Sequence, residues 1–187
     1  MHPIKHFITI TKHRHLVMGY CFRVGLIRQG LAHDLSKYSP AEFWQGAKYW
    51  QGTRSPNAGA REAEGYSTAW MHHKGRNKHH YEYWTDVPPG KTHYEPVPMP
   101  TRYMVESVMD RIAASKVYQG EQYNDGSALA YFERADRELL HPQTVRELSF
   151  LLGLLRDRGE KTLFRFIRER VLKGLPWEQW EQEAQKL

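Results

Sequence analysis

The chain has 187 residues, 40% apolar and 26% charged, the balance of a folded globular protein of one domain with enough length for a substantial core. Its single cysteine, Cys21, excludes an intrachain disulfide and accords with a reducing, cytoplasmic setting. No run approaches the ~20 apolar residues of a membrane span, and the formal charge of +6 favours anionic partners or a basic solvated surface.

At the start, Lys12, His13, Arg14 and His15 interrupt the apolar pattern, so no signal peptide is expected there. Eleven histidines are a more unusual feature. Seven of them cluster: His13 with His15, then His33, then His72, His73, His79 and His80. Imidazole is the commonest metal ligand, and clustering matters more than number.

Ile4 to about Phe22 reads as a helix, with Ile4, Phe7, Ile8, Ile10, Leu16, Val17, Tyr20 and Cys21 at helical spacings. His13 shares a face with Val17, Tyr20 and Cys21, while His15 points elsewhere. Gly25 and Gly30 mark a break around a short apolar helix that ends near His33-Asp34. Ser39, Pro40 and Glu42 form a capping box with proline at the first helical position, predicting a helix from Pro40 to about Trp50 and a capping role for Glu42.

Gly52 to Gly65 reads as a polar surface loop, with a helix start near Ala60 as the alternative. Tyr66 to His73 is helical, and Asn77 is expected to cap a second short helix from Lys78 to Trp84. Asp86 to Pro100 carries five of the ten prolines and must be an extended, irregular connection, a kind of loop often found at binding sites. Pro100-Thr101 opens a long helix to about Gly120, with Met104, Val105, Val108, Met109, Ile112, Ala113 and Val117 as its apolar face. Asp110 sits in mid-helix, where it is neither cap nor dipole partner: it faces solvent or it binds something.

Asn124 to Ser127 is a turn, followed by helices over Ala128–Leu140, Thr144–Leu155, Leu163–Leu172 and Trp177–Leu187, with Gly159 breaking the second from the third. No stretch alternates at period two long enough for a strand, so the fold class is all-α.

The order His13, His33-Asp34, His73, His79-His80 and Asp110 resembles the HD-domain superfamily of metal-dependent phosphohydrolases. In that family a helical histidine, a His-Asp pair and a distant helical aspartate hold one metal, and two-metal members add histidines in between. His33-Asp34-Leu35-Ser36-Lys37 resembles the family's His-Asp segment, with Ser36 where glycine is usual; Val108-Met109-Asp110-Arg111-Ile112 resembles the segment of the last aspartate. More narrowly, His33 to Phe43 and His73 to Trp84 look like an uncharacterised bacterial and phage family related to HD proteins, over about residues 10 to 118.

The resemblance implies an HD-domain-like helical bundle over 1–120, with 121–187 as a helical extension packed on it in a single domain. His13, His33, Asp34 and Asp110 would hold one ion, and His73, His79 and His80 a second. His72, about 100° around its helix from His73, would not share that ion. Nitrogen and oxygen donors without thiolate suit Mn, Fe, Co, Ni or Zn. The expected activity is hydrolysis of a nucleotide or other small phosphoester through a metal-activated water, with Asp34, Lys37 and His80 in catalytic roles. Lys37 reads equally as a solvated lysine at a helix end.

Two alternatives stand beside this reading: an HD-type di-iron oxygenase with a similar ligand set, and a non-catalytic nucleic-acid-binding protein that would use the net charge and the basic run from Arg156 to Lys173 instead. Interleaved Glu160 and Glu169 favour a solvated helix face for that run.

Overall fold

In the computed structural model, which describes residues 1–187, helix α1 (Pro3–Val24) ends at Gly25. Gly25 adopts φ 93°, and the amides of Gly25 and Leu26 close back on Phe22 and Cys21, a glycine stop that turns the chain into α2 (Ile27–Ala32). Gly30 lies inside α2, not at a break. A Cβ there would stand 2.9 Å from that of Cys21, so glycine lets α2 pack tightly on α1. The inward stripe of α1 is His6, Ile10, His13, Val17, Tyr20, Cys21 and Val24. Ile4 and Ile8, read from spacing as packing residues, are 75% and 59% exposed, because the stripe that turns inward begins on His6.

The remaining helices are α3 (Pro40–Lys48), α4 (Pro56–Glu64), α5 (Thr68–Lys74), α6 (Thr101–Gln119), α7 (Ser127–Arg134), α8 (Pro142–Glu169) and α9 (Trp180–Gln185). The chain is all-α. Its strands are one antiparallel pair of two residues each, Thr85–Asp86 with Glu95–Pro96, which pins the proline-rich connection at its ends. No helix is long and apolar enough to cross a membrane.

Four departures from the sequence reading have physical causes. Residues 56–64 form a helix where a loop was expected: the Ser55 hydroxyl accepts from the Asn57 amide, Gly65 closes the far end in the left-handed region, and Ala60 is buried. Small residues carry that packing, so hydrophobicity does not reveal it. Glu42 is not part of a capping box, because its carboxylate is drawn to His72 and His73 and the Ser39 side chain makes no cap bond.

Asn77 caps nothing. Its amide bonds Ser36 Oγ and the His73 carbonyl, and only Tyr81–Tyr83 coils beyond it, as a 3-10 turn. The helix expected over Ala128–Leu140 stops at Arg134. Asp136 Oδ1 then accepts from the Glu138 amide, a local turn that competes with the helix and carries Leu140 back into the core. Gly159, with φ 74° and ψ 171°, kinks α8 where a break was expected.

Helix α1 packs against α2, α3, α6 and α8, and α6 also packs on α7 and α8. One apolar cluster joins Val17 and Cys21 of α1, Met104, Val108 and Ile112 of α6, Leu148, Leu151 and Leu155 of α8, and Trp180 of α9. Residues on both sides of position 120 therefore share a single core. Helix α3 packs on α1 and carries α4 and α5 on its other sides.

Candidate metal centre

His13 is buried on the inward stripe of α1, and Asp110 lies across from it on α6. His33 caps the C-terminal end of α2, where Arg14 clamps the chain: its guanidinium donates to the carbonyls of Leu31 and His33. Asp34 follows with φ 55°, the only non-glycine residue at positive φ. Such a backbone is held only where surroundings enforce it, and it occurs preferentially at functional sites. It turns the Asp34 carboxylate into the interior, where it is 1% exposed. Lys37, one 3-10 turn on, reaches back to Asp34 Oδ2 at 2.6 Å.

The two oxygens of Asp34 face different partners. Oδ2 lies 3.3 Å from His13 Nε2 and 3.4 Å from His33 Nε2, and Asp110 Oδ1 completes that group at 2.9 and 3.6 Å from the same nitrogens. Oδ1 lies 3.2 Å from His73 Nε2 on α5 and 3.6 Å from His79 Nε2, with His80 in the same group. All seven residues read as metal ligands from the sequence thus meet around one carboxylate. His72 stands apart, bonded through Nδ1 to Glu42 Oε1 at 2.6 Å.

These contacts are not ordinary hydrogen bonds. His13, His33, His73, His79 and His80 each present a buried Nε2 with no hydrogen-bond partner, and Asp34 Oδ1 is likewise unsatisfied. Buried polar atoms are rarely left so. Donors about 2.1 Å from one ion stand roughly 3.0–3.4 Å apart at octahedral or tetrahedral angles, so the observed spacings suit shared cations. The donor set is imidazole and carboxylate without thiolate, which fits Mn, Fe, Co, Ni or Zn.

Carboxylates behind the ring fix the imidazoles. Glu106 Oε1 lies 2.9 Å from His33 Nδ1 and 3.1 Å from His79 Nδ1, and Glu42 Oε2 lies 2.8 Å from His73 Nδ1. A carboxylate at Nδ1 places the proton there and leaves the Nε2 lone pair facing inward. Glu106 is itself held by Gln29 Nε2 at 3.2 Å. His33, His79 and Glu106 also cluster, but through nitrogens turned away from Asp34, so Glu106 orients the other two.

Sequence reasoning missed Glu106 and undervalued Glu42. Glu106 had one legible signal: it lies four residues before Asp110, on the same face of α6. Glu42 had none, because its helix-start position explained it already.

The electrostatics suit the same arrangement. Burial opposes charge on Asp34 and Asp110, but neighbouring imidazoles, with Lys37 at Asp34, outweigh it and hold both carboxyls well below the usual carboxylate range. Burial also opposes charge on Glu106, yet His33 and His79 hold it at about 2. Burial and neighbouring imidazoles push His79 and His80 down, toward the neutral form that a metal requires. At His33 and His73 the Asp34 carboxylate outweighs burial and pushes them up, toward a charged form that a bound cation would displace.

A cavity of about 610 Å³ opens beside the cluster, with His13, Lys37, His73, His80 and Asp110 on its wall. The basic run from Arg156 to Lys173 is paired toward its ends, Arg156 with Asp157, Arg168 with Glu169 and Arg170 with Glu183, while Arg158 and Lys161 between them form no ion pair.

The fold and this cluster define an all-α protein with a buried histidine–carboxylate site. The chain belongs to a family of unknown function, DUF5662, whose match spans residues 2–154 and so includes every residue of the cluster. No curated protein and no solved structure matches it.

Proposed function

We propose that this protein is a metal-dependent phosphohydrolase of HD type, acting on a nucleotide or another small phosphoester. The observation that carries the reading is Asp34, whose two oxygens face two separate sets of buried, unsatisfied donors beside a ligand-sized cavity. In this reading His13, His33, Asp34 and Asp110 hold one divalent ion, while Asp34, His73, His79 and His80 hold another. Ions bound there would activate water at neutral pH and steady the charge that develops on phosphoryl oxygens.

The chain's own residues supply the rest. Hydrolysis joins the water oxygen to phosphorus, breaks the P–O ester bond, and leaves one water proton on the departing alcohol. Lys37 sits at the cavity wall beside Asp34, a fixed cation for the phosphoryl group. Glu106 and Glu42 keep three imidazoles in register through their Nδ1 atoms. His80, half-buried and held neutral, packs at 4.6 Å from the Trp70 ring, which fixes its plane at the cavity wall.

The test is elemental analysis of the purified protein followed by phosphate release from a panel of nucleotides and phosphoesters with Mn, Co, Ni, Zn and Fe. About two ions per chain and release from at least one substrate class are expected. Silence across panel and metals overturns the hydrolase reading. Tightly held iron with an oxidation-dependent absorption would replace it with the oxygenase.

A further inference from the structure

The cavity beside the donor cluster is several times larger than a lone phosphate needs, and at about 610 Å³ it is the size of sites for whole small-molecule ligands. One stripe of α6 lines it: Ser107, Asp110, Arg111, Ala114, Ser115 and Tyr118. Asp110 belongs to the donor cluster. Arg111, the next residue, does not, and its environment is unusual for an arginine.

The Arg111 guanidinium stacks over Phe132, with Cζ 5.0 Å from the ring centroid, and has no carboxylate partner; its enclosed Nε makes no hydrogen bond. On another wall Arg61 of α4 lies over Trp70 at 5.6 Å, also without a carboxylate, whereas Arg54 beside it is paired with Glu62. Asp110, the carboxylate next to Arg111 in the chain, is already engaged with His13 and the donor cluster. Glu82, also on the cavity wall, forms no ion pair with either arginine, and its enclosed Oε2 has no hydrogen-bond partner.

A half-buried guanidinium with no ion-pair partner is costly, and a ligand anion that pairs with it removes that cost. Arginine's planar fork also suits phosphate better than a point charge does. Lys37 already stands at the donor cluster, where the scissile phosphoryl group would lie. The arginines therefore address something else.

We propose that Arg111, with Arg61, is a subsite for a second phosphate of the substrate, so that the ester cleaved at the donor cluster belongs to a diphosphate-bearing molecule such as a nucleoside diphosphate. This rests on the phosphohydrolase reading and narrows its substrate class.

Calorimetric titration of the metal-loaded protein with adenosine diphosphate, adenosine monophosphate and inorganic pyrophosphate tests it. Wild type should bind the diphosphate and pyrophosphate more tightly than the monophosphate. Arg111→Gln should weaken both diphosphate ligands by about 10–100-fold and leave the monophosphate nearly unchanged, as expected for loss of a charge-assisted phosphate contact. Arg61→Gln, on the exposed wall, should do the same to a smaller degree and decides the matter if Arg111→Gln does not fold. Equal losses for mono- and diphosphate, or no loss in either variant, overturn the proposal. Pyrophosphate behaving unlike the nucleoside diphosphate would overturn it too, by shifting recognition to the base. Metal content is read separately, and on protein that takes up no metal the same titrations still report any preference that depends on Arg111. The two readings therefore fail independently.

Discussion

Glu106 stands behind His33: its Oε1 is 2.9 Å from Nδ1, on the far side of the ring from Asp34. The same oxygen reaches His79 Nδ1 at 3.1 Å. These two imidazoles face opposite oxygens of Asp34, so one buried carboxylate sets the orientation of an imidazole in each of the two donor groups. Glu106→Ala should therefore weaken retention of both ions, by about 10–100-fold, the usual cost of losing a carboxylate behind a ligating histidine. Competition with a graded chelator measures it. Loss confined to one ion would show that His33 and His79 are held by something else.

Asp34 is the only residue common to both donor groups. Asp34→Ala is expected to abolish stoichiometric binding altogether, whereas His13→Ala and His73→Ala should each leave about one ion of two. Elemental analysis of the three variants after gel filtration separates a shared centre from two independent sites. Independent sites would leave one ion on Asp34→Ala.

How much of this was legible beforehand differs between residues. The helical periodicity of α1 placed His13 on an inward face without further help, because amphipathic spacing is a local property of sequence, whereas mid-helix position left Asp110 open between solvent and a bound partner. His33 and Asp34 were visible as adjacent donors, but the positive φ that aims Asp34 was not, since non-glycine residues reach that region only under tertiary constraint. Glu106 and Glu42 were obscured for opposite reasons. One sits in a run of apolar core residues, and the other had a complete local explanation as a helix cap. In α4 and residues 135–140, small side chains and one Asx turn decide the structure, and hydrophobic pattern carries neither.

Close packing next to the cavity makes a separate stability prediction. A Cβ on Gly46 of α3 would come within 2.3 Å of His6 Nε2, an overlap with a ring that is itself only 5% exposed. Gly46→Ala should cost about 1–3 kcal/mol despite alanine's better helix propensity, as overpacking does. Thermal unfolding checks it, and a stabilised variant would mean that the ring moves freely.

His6 also gives a pH dependence. Burial, with the nearby Lys37 charge, lowers its pKa from 6.5 to about 4, so the folded state favours the neutral ring. Its contribution is fully present above pH 6.5 and is lost as the pH falls toward 4, because the unfolded chain takes up the proton first. Water still reaches part of its surroundings, so the effect should be about 1–2 kcal/mol, below the full value of the shift. Comparing melting temperatures of wild type and His6→Leu between pH 7 and pH 4 should show a shallower decline in the variant (about these pH limits). Parallel curves would remove His6 as a contributor.

Lys37 separates chemistry from metal retention. Its Nζ lies 2.6 Å from Asp34 Oδ2, and burial is outweighed by Asp34 and Asp110, so its charge is held firmly in place. Lys37→Met removes a cation next to a carboxylate that faces both donor groups. That carboxylate then carries more uncompensated negative charge, so metal affinity should stay constant or rise. Turnover of a phosphoester should nevertheless fall by about 10²–10³-fold, the usual cost of removing one preorganised charge from a developing oxyanion. Lys37→Arg should recover part of the rate. Metal content and turnover falling together in Lys37→Met would instead assign this lysine to holding Asp34 in its left-handed conformation, and full turnover would return it to the solvated helix end that its sequence position first suggested.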